Sequence, residues 1–379
     1  MGEFQCYKFK TIDRPLTSSE RQEVDALSSR GHVTSNSATF IYHYSDFRHK
    51  PETVLEKYFD AMLYFTNWGT RRLMFRLPSK LTDGDAIEKY CFEDKWGSNY
   101  IKLKHRGEFY ILDMYFSEEE GGDWMEEEDF DPGDLAPLRD DILNGNYGAL
   151  YLLWATFTQP GEENDDDDGD EPELTPPPVP HGLKRMTGAL KAFTAFFEID
   201  EDLVSAAQPA SPDRAAVNFD YEKLLRQLPG NERIEWLARL LKGELRLEVL
   251  LKKRLEQFVP APAIPKTKTV SPAELRALGS EKGKERKTRE TAEAHAALVQ
   301  KMQKLASQEK ARWSSVPFNI ARKTGKSYDL ATETLKDLKA LAEFQGKADA
   351  YRQRLLEMRK EYFRSTALIG RWEKAGLFK

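Results

Sequence analysis

The residues suited to acid–base or metal chemistry come first, and their spacing excludes more than it supports. The six histidines are His32, His43, His49, His105, His181 and His295, and none stands at metal-ligand spacing from a cysteine or another histidine. His43 and Asp46 are near enough in sequence to share a site, but a histidine between Tyr42 and Tyr44 on a strand reads more simply as a packed or surface residue. Gly325-Lys326-Ser327 matches the end of a phosphate loop. Its required upstream glycine position holds Ile320, and no strand precedes it. Asn164 to Thr175 opens like a calcium loop, with Asp166, Asp168 and Gly169 in step, yet Thr175 stands where a bidentate Glu is needed. No catalytic, cofactor-binding or metal-binding constellation is expected, and no enzyme is assigned.

One pattern does point to binding. If Tyr7 and Phe9, Leu73 and Phe75, and Ile101 and Leu103 face the interior of a sheet, alternation puts Lys8, Lys10, Arg72, Arg76, Lys102 and Lys104 together on the opposite face. Cations beside Tyr42 or Tyr44 form the kind of platform that neutralises phosphate and stacks bases in single-strand nucleic-acid binders. The simpler alternative is that Glu118 to Asp131, or another subunit, folds across the face and satisfies the charge.

These residues need elements to position them. The central stretch is Pro51 to Pro78. Pro51 and Glu52 suit a first helical turn, and Val54, Leu55, Tyr58, Phe59, Met62, Leu63 and Phe65 recur at helical spacing. The expectation is a helix through Phe65, a turn at Asn67-Trp68-Gly69, and a strand over Thr70 to Leu77. Before it, Phe4 to Thr11 and Ala38 to Ser45 alternate as strands, and Thr17-Ser18-Ser19-Glu20 is a capping box. After it come a helix from Asp83 to Phe92 and a β-hairpin, Tyr100–Leu103 and Phe109–Phe116, around Arg106-Gly107. Leu135–Leu143 and Tyr147–Phe157 read as short helices that close the first core.

The fold class expected is α+β: an N-terminal α/β sandwich, with a mixed sheet and helices on one face, then an all-helical middle region and a C-terminal coiled-coil-like helical hairpin. The divisions are a head over 1–158, an acidic Pro-rich linker over 159–181, a helical domain over 182–258, a Pro-rich linker over 259–272 and a basic helical tail over 273–379. Tyr328, Ala331, Leu335, Leu338 and Ala342, then Ala348, Tyr351, Leu355, Met358 and Tyr362, step by three and four on either side of Gly346. Two helices so patterned form an antiparallel hairpin, with Leu298, Met302 and Leu305 as a third member. Gly279 to Glu290 is too charged for a seam and reads as a solvated helix or a hinge.

Charge divides along the same line. Residues 221–379 hold 35 Lys and Arg against 20 Asp and Glu, whereas 1–220 hold 22 against 43. That asymmetry suits an anionic partner for the C-terminal half, with Lys252-Lys253-Arg254, Lys282 to Arg289, Lys301, Lys304, Lys310 and Arg312 as phosphate contacts that read no sequence, or contact between the halves; the simpler reading is that coiled helices are rich in Lys and Arg. No window approaches the roughly 20 apolar residues of a membrane helix, and Met1 to Gln5 begins no signal peptide. Cys6 and Cys91 are too few for a disulfide framework. The chain reads as a soluble, cytoplasmic, multidomain interaction or scaffold protein, with a protein partner or self-association through the tail and no cofactor; a nucleic-acid-associated accessory protein is the alternative.

Overall fold

The computed structural model describes residues 3–117, 129–158, 175–213, 220–258 and 269–378. The acidic run after Ser117 and nearly all of the calcium-like Asn164–Thr175 stretch lie outside them. The chain is of the α+β class and forms two compact units, residues 1–283 and 284–379.

The first unit is built on an eight-stranded sheet in the order β2-β3-β1-β4-β5-β8-β7-β6. In chain order these are β1 Gln5–Lys10, β2 Gly31–Val33, β3 Ser37–Tyr42, β4 Ala61–Thr66, β5 Thr70–Pro78, β6 Phe92–Glu93, β7 Asn99–Arg106 and β8 Phe109–Ser117. Every neighbouring pair is antiparallel, not mixed, because the connections between paired strands are hairpins and short excursions instead of crossovers. Helices α1 (Ser18–Asp25), with the expected Thr17–Glu20 capping box, and α2 (Pro51–Tyr58) lie between strands. The one-turn α3 (Gly84–Glu88) is capped by Asp83 and stops well short of Phe92.

The expected helix through Phe65 ends at Tyr58. Met62, Leu63 and Phe65 belong to β4, and Asn67 to Gly69, with Gly69 at φ +93°, turns one strand into the next. The physical reason is burial on both sides. A strand covered on both faces carries apolar residues at every position, so its period of two vanishes and it resembles a buried helix.

Both faces of the sheet are covered. Cys6, Leu63, Phe65, Leu73, Phe75, Ile101, Leu112 and Met114 point to one side, where they pack with α4 (Pro132–Leu143), α5 (Gly148–Phe157), α6 (Gly188–Phe196) and α7 (Glu201–Ala207). Tyr7, Phe9, Phe40, Tyr42, Met62, Met74 and Ile111 point to the other, where Val54, Leu55 and Tyr58 of α2 and Val24 of α1 meet them. Helices thus flank two faces, where one was expected. Leu190, Phe193 and Phe196 share a core with the strands, so the region from residue 183 to 207 packs into the head instead of founding its own core. A small cluster joins α8 (Tyr221–Gln227), α9 (Gly230–Leu241) and α10 (Leu247–Glu256) through Leu224, Leu228, Leu255 and Trp236.

Helix α11 (Pro272–Ser307) runs without a break through the charged Gly279–Glu290 stretch. In the second unit, α13 (Gly325–Phe344) and α14 (Ala348–Glu361) form the expected hairpin, turning at Gly346 with φ +69°. Leu335, Leu338, Tyr351 and Leu355 are buried on its seam, and the Tyr351 hydroxyl donates to Leu335 O at 2.9 Å. Its main companions are α12 (Glu309–Ala321), through Trp313, Val316 and Ile320, and α15 (Thr366–Lys374), through Leu368 and Trp372. Met302 and Leu305 bury beside Leu341, while Leu298 is exposed.

Candidate functional site: the paired cations of the sheet

Register decides where the six basic candidates go. Lys8 stands beside Leu63, and Leu63 beside Leu73, so Lys8 and Lys10 share the face of Leu73. Arg72 stands between Tyr64 and Tyr115, and Lys102 beside Asp113, so Arg72, Arg76, Lys102 and Lys104 share the face of Tyr7 and Met74. The six therefore divide two and four between opposite faces and form no single platform. The strand β4 between β1 and β5, where a helix was expected, sets their relative phase.

On the first face, the Lys8 ammonium lies 5.9 Å from the centre of the Phe65 ring and donates to Phe130 O at 2.7 Å. Lys10 reaches Asp131 at 3.4 Å. Residues 130 and 131 thus supply part of the internal compensation that the sequence suggested.

Three of the four cations on the second face meet acids at closer range. Arg72 forks onto Asp113, Nε donating to Oδ1 at 2.8 Å and Nη2 to Oδ2 at 2.7 Å, and Nη2 also bonds Glu52 at the start of α2. Asp113 is buried, so the fork answers a charge that could not stay there alone. Burial pushes Glu52 up, and the Arg72 guanidinium outweighs it, holding the carboxyl below its ordinary range. Tyr100 and Tyr115 stack beside the fork at 5.1 Å and 8°. Lys102 lies over the Tyr100 ring at 4.1 Å and pairs with Glu93 at 2.6 Å. Lys104 is exposed near the end of β7. Tyr7 and Tyr64 both donate to Gln5 Oε1, at 3.2 and 3.3 Å, and burial raises the Tyr7 hydroxyl to about 12.

Arg76 belongs to a network that no local pattern announces. Its Nη2 donates to Asp60 at 2.9 Å, and Asp60 also accepts from the backbone N–H of Ile12 and Asp13 at 2.7 and 2.9 Å. Arg139 of α4, fully buried, forks onto Asp13 with both bonds at 2.8 Å and donates to Arg76 O. Arg246 bonds Asp13 and Asp140 at 2.6 Å each. Three cations and three carboxylates alternate, closing the end of the sheet against α4 and the start of α10.

The sign of its pH dependence follows from Asp13. Burial raises that carboxyl, and Arg139 and Arg246 more than compensate, so its folded pKa lies below the ordinary value. A depressed carboxyl contributes stability above the unfolded pKa of about 4 that disappears as pH falls through the folded value. Urea midpoints are therefore expected to drop as pH is lowered below about 4, with a shallower drop in Asp13→Asn; equal slopes would show that Asp13 carries none of it.

The remaining candidates do not assemble. The His43 ring packs beside Phe4 at 5.8 Å, whereas Asp46 accepts from Gln5 Nε2 at 2.7 Å. Gly325-Lys326-Ser327 opens α13, where Thr324 and Ser327 form a capping box after another helix. Tyr42 is buried and donates to Ser28 Oγ, while Tyr44 is exposed beyond the end of β3. In the basic runs, Lys253 bonds Leu81 O, Arg254 pairs with Glu232 at 2.7 Å and Arg312 with Asp337 at 2.6 Å. Among the described residues no group of three or more His, Cys, Asp or Glu could hold a metal ion, and no helix is long and apolar enough to cross a membrane. A groove of about 530 Å³ opens between α2 and the β7–β8 turn, lined by Thr53, Glu56, Lys57, Arg106, Glu108 and Phe109. Its charges are of both signs.

Fold and site together define an α+β protein whose sheet carries compensated charge and whose C-terminal unit is a separately cored helical bundle. Comparisons with family models, curated proteins and solved structures found no match.

Proposed function

We propose that this chain is a multidomain interaction or scaffold protein, whose α+β head and helical tail each meet a partner. The observation that carries the reading is the surface of the second unit. It has its own core around Leu335, Leu355 and Trp372, yet leaves Phe318, Leu330, Phe344, Leu356 and Phe363 exposed. A small helical bundle that buries its seam and still presents large apolar groups is suited to docking protein. The pairing of Arg72, Arg76 and Lys102 supports the same reading, because cations already answered by Asp113, Asp60 and Glu93 have little left for phosphate.

Charge favours a second reading, a nucleic-acid-associated protein that uses the tail. Residues 284–379 hold 22 Lys and Arg against 12 Asp and Glu, an excess suited to phosphate backbones. The two are separated with the full chain. In the scaffold reading, a protein cross-linked to the second unit is released by Phe363→Glu, and labelled oligonucleotides show no salt-dependent anisotropy change. Oligonucleotide binding that weakens steeply with salt, with no loss in Phe363→Glu, would overturn the scaffold in favour of the second reading.

A further inference from the structure

Helix α9 is anchored on one side only. Trp236 packs into the small cluster with α8 and α10, Glu232 holds Arg254, and Arg239 lies over the Trp236 ring while pairing with Glu244 at 2.6 Å. The opposite side carries Ile234, Leu237 and Leu241, which are 70%, 60% and 88% exposed and follow one another at i, i+3 and i+7. That is the spacing of a helix–helix seam, and among the described residues no helix lies against it. Leu240 and Leu245 extend the apolar surface, and both are more than half exposed.

The charges beside this seam indicate what would cover it. Glu235 and Lys242 are both exposed, seven residues and therefore two turns apart, on the same flank of the ridge. Neither forms an ion pair or a side-chain hydrogen bond among the described residues; the nearby Arg239 and Glu244 are already joined to each other. An acid toward the N-terminal end and a base toward the C-terminal end of one flank complement themselves under a two-fold axis. When a second α9 lies antiparallel, with the axis near Leu237 and Ala238, Glu235 of each copy meets Lys242 of the other. Ile234 and Leu241 then exchange places across the axis. A parallel pairing sets this flank against the one carrying Arg233 and Leu240, where the two charges do not meet.

We propose that α9 is a self-association surface on which a second copy of this chain docks antiparallel, Ile234, Leu237 and Leu241 forming the seam and two Glu235–Lys242 pairs fixing its direction. The contact is isologous, the kind that closes as a dimer and does not propagate. It uses a surface of the first unit and stands or falls separately from partner docking by the second.

Sedimentation equilibrium of the full chain tests it. The wild type is expected to show a concentration-dependent monomer–dimer equilibrium, and Leu237→Glu to raise its dissociation constant at least about tenfold. Glu235→Lys and Lys242→Glu should each weaken the dimer, and the two together should restore it, because the pairs re-form with signs exchanged. That restoration also shows that the single variants fold. A wild type that stays monomeric at the highest concentrations reached, a dimer indifferent to Leu237→Glu, or a double variant no tighter than the singles would each overturn the proposal.

Discussion

Arg139→Ala is expected to cost about 3–5 kcal/mol of stability, the range for breaking a buried ion pair from one side. Its guanidinium is fully buried, forks onto Asp13 at 2.8 Å and approaches Asp60 at 3.6 Å. Removing it leaves two carboxylates in a place chosen for three cations, and strands the Arg76 carbonyl it served. Arg246 and Arg76 remain beside those acids, which argues for the lower end of the range. The contrast is Lys10→Ala, whose pair with Asp131 spans 3.4 Å between partly exposed groups and should matter by no more than about 1 kcal/mol. Urea unfolding of both variants decides it. An Arg139→Ala loss no larger than that of Lys10→Ala would show that water already reaches Asp13 and Asp60 in the folded protein.

That network marks where sequence reading stops. Asp13 and Arg139 are 126 residues apart, and each looks like an ordinary charge at the edge of a turn or helix. Nothing in either neighbourhood signals that both lose their water. Features written in local spacing were legible: the Thr17–Glu20 capping box, the turn at Gly107 between β7 and β8, and the α13–α14 hairpin at Gly346. The α+β class was legible for the same reason. Ala61 to Thr66 was not, because burial on both sides erases the alternation that announces a strand. One missing strand then carried further than its six residues. With β4 restored, Lys8 and Lys10 fall behind the sheet from Arg72 and Arg76, since a shift of one residue sends every side chain to the opposite face. The candidate residues were real sheet residues; their common face was not. At α9 the structure adds what no local pattern states, that Ile234, Leu237 and Leu241 stand exposed among the described residues.

The second large effect is expected at Trp372. Its side chain is fully buried among the residues that join α15 to the α13–α14 hairpin, with the Phe378 ring 6.2 Å away. Trp372→Ala removes the largest fully buried side chain of that core, and a cavity of this kind costs about 3–5 kcal/mol. The indole Nε1 has no hydrogen-bond partner among the described residues, so the loss is one of packing and not of a hydrogen bond. Trp372→Phe, which keeps most of the apolar volume, is therefore expected to cost much less than the alanine. The bundle has a core of its own, so an unfolding transition dominated by the first unit need not report on it. Hydrogen exchange read segment by segment is the suitable one, because local opening reports local stability. Protection should fall across α12, α13, α14 and α15, the helices that contribute buried residues to the cluster around Trp372. Wild-type protection there in Trp372→Ala would remove Trp372 from the centre of the bundle, and equal losses for phenylalanine and alanine would mean that the indole N–H, not the ring volume, is what the core requires.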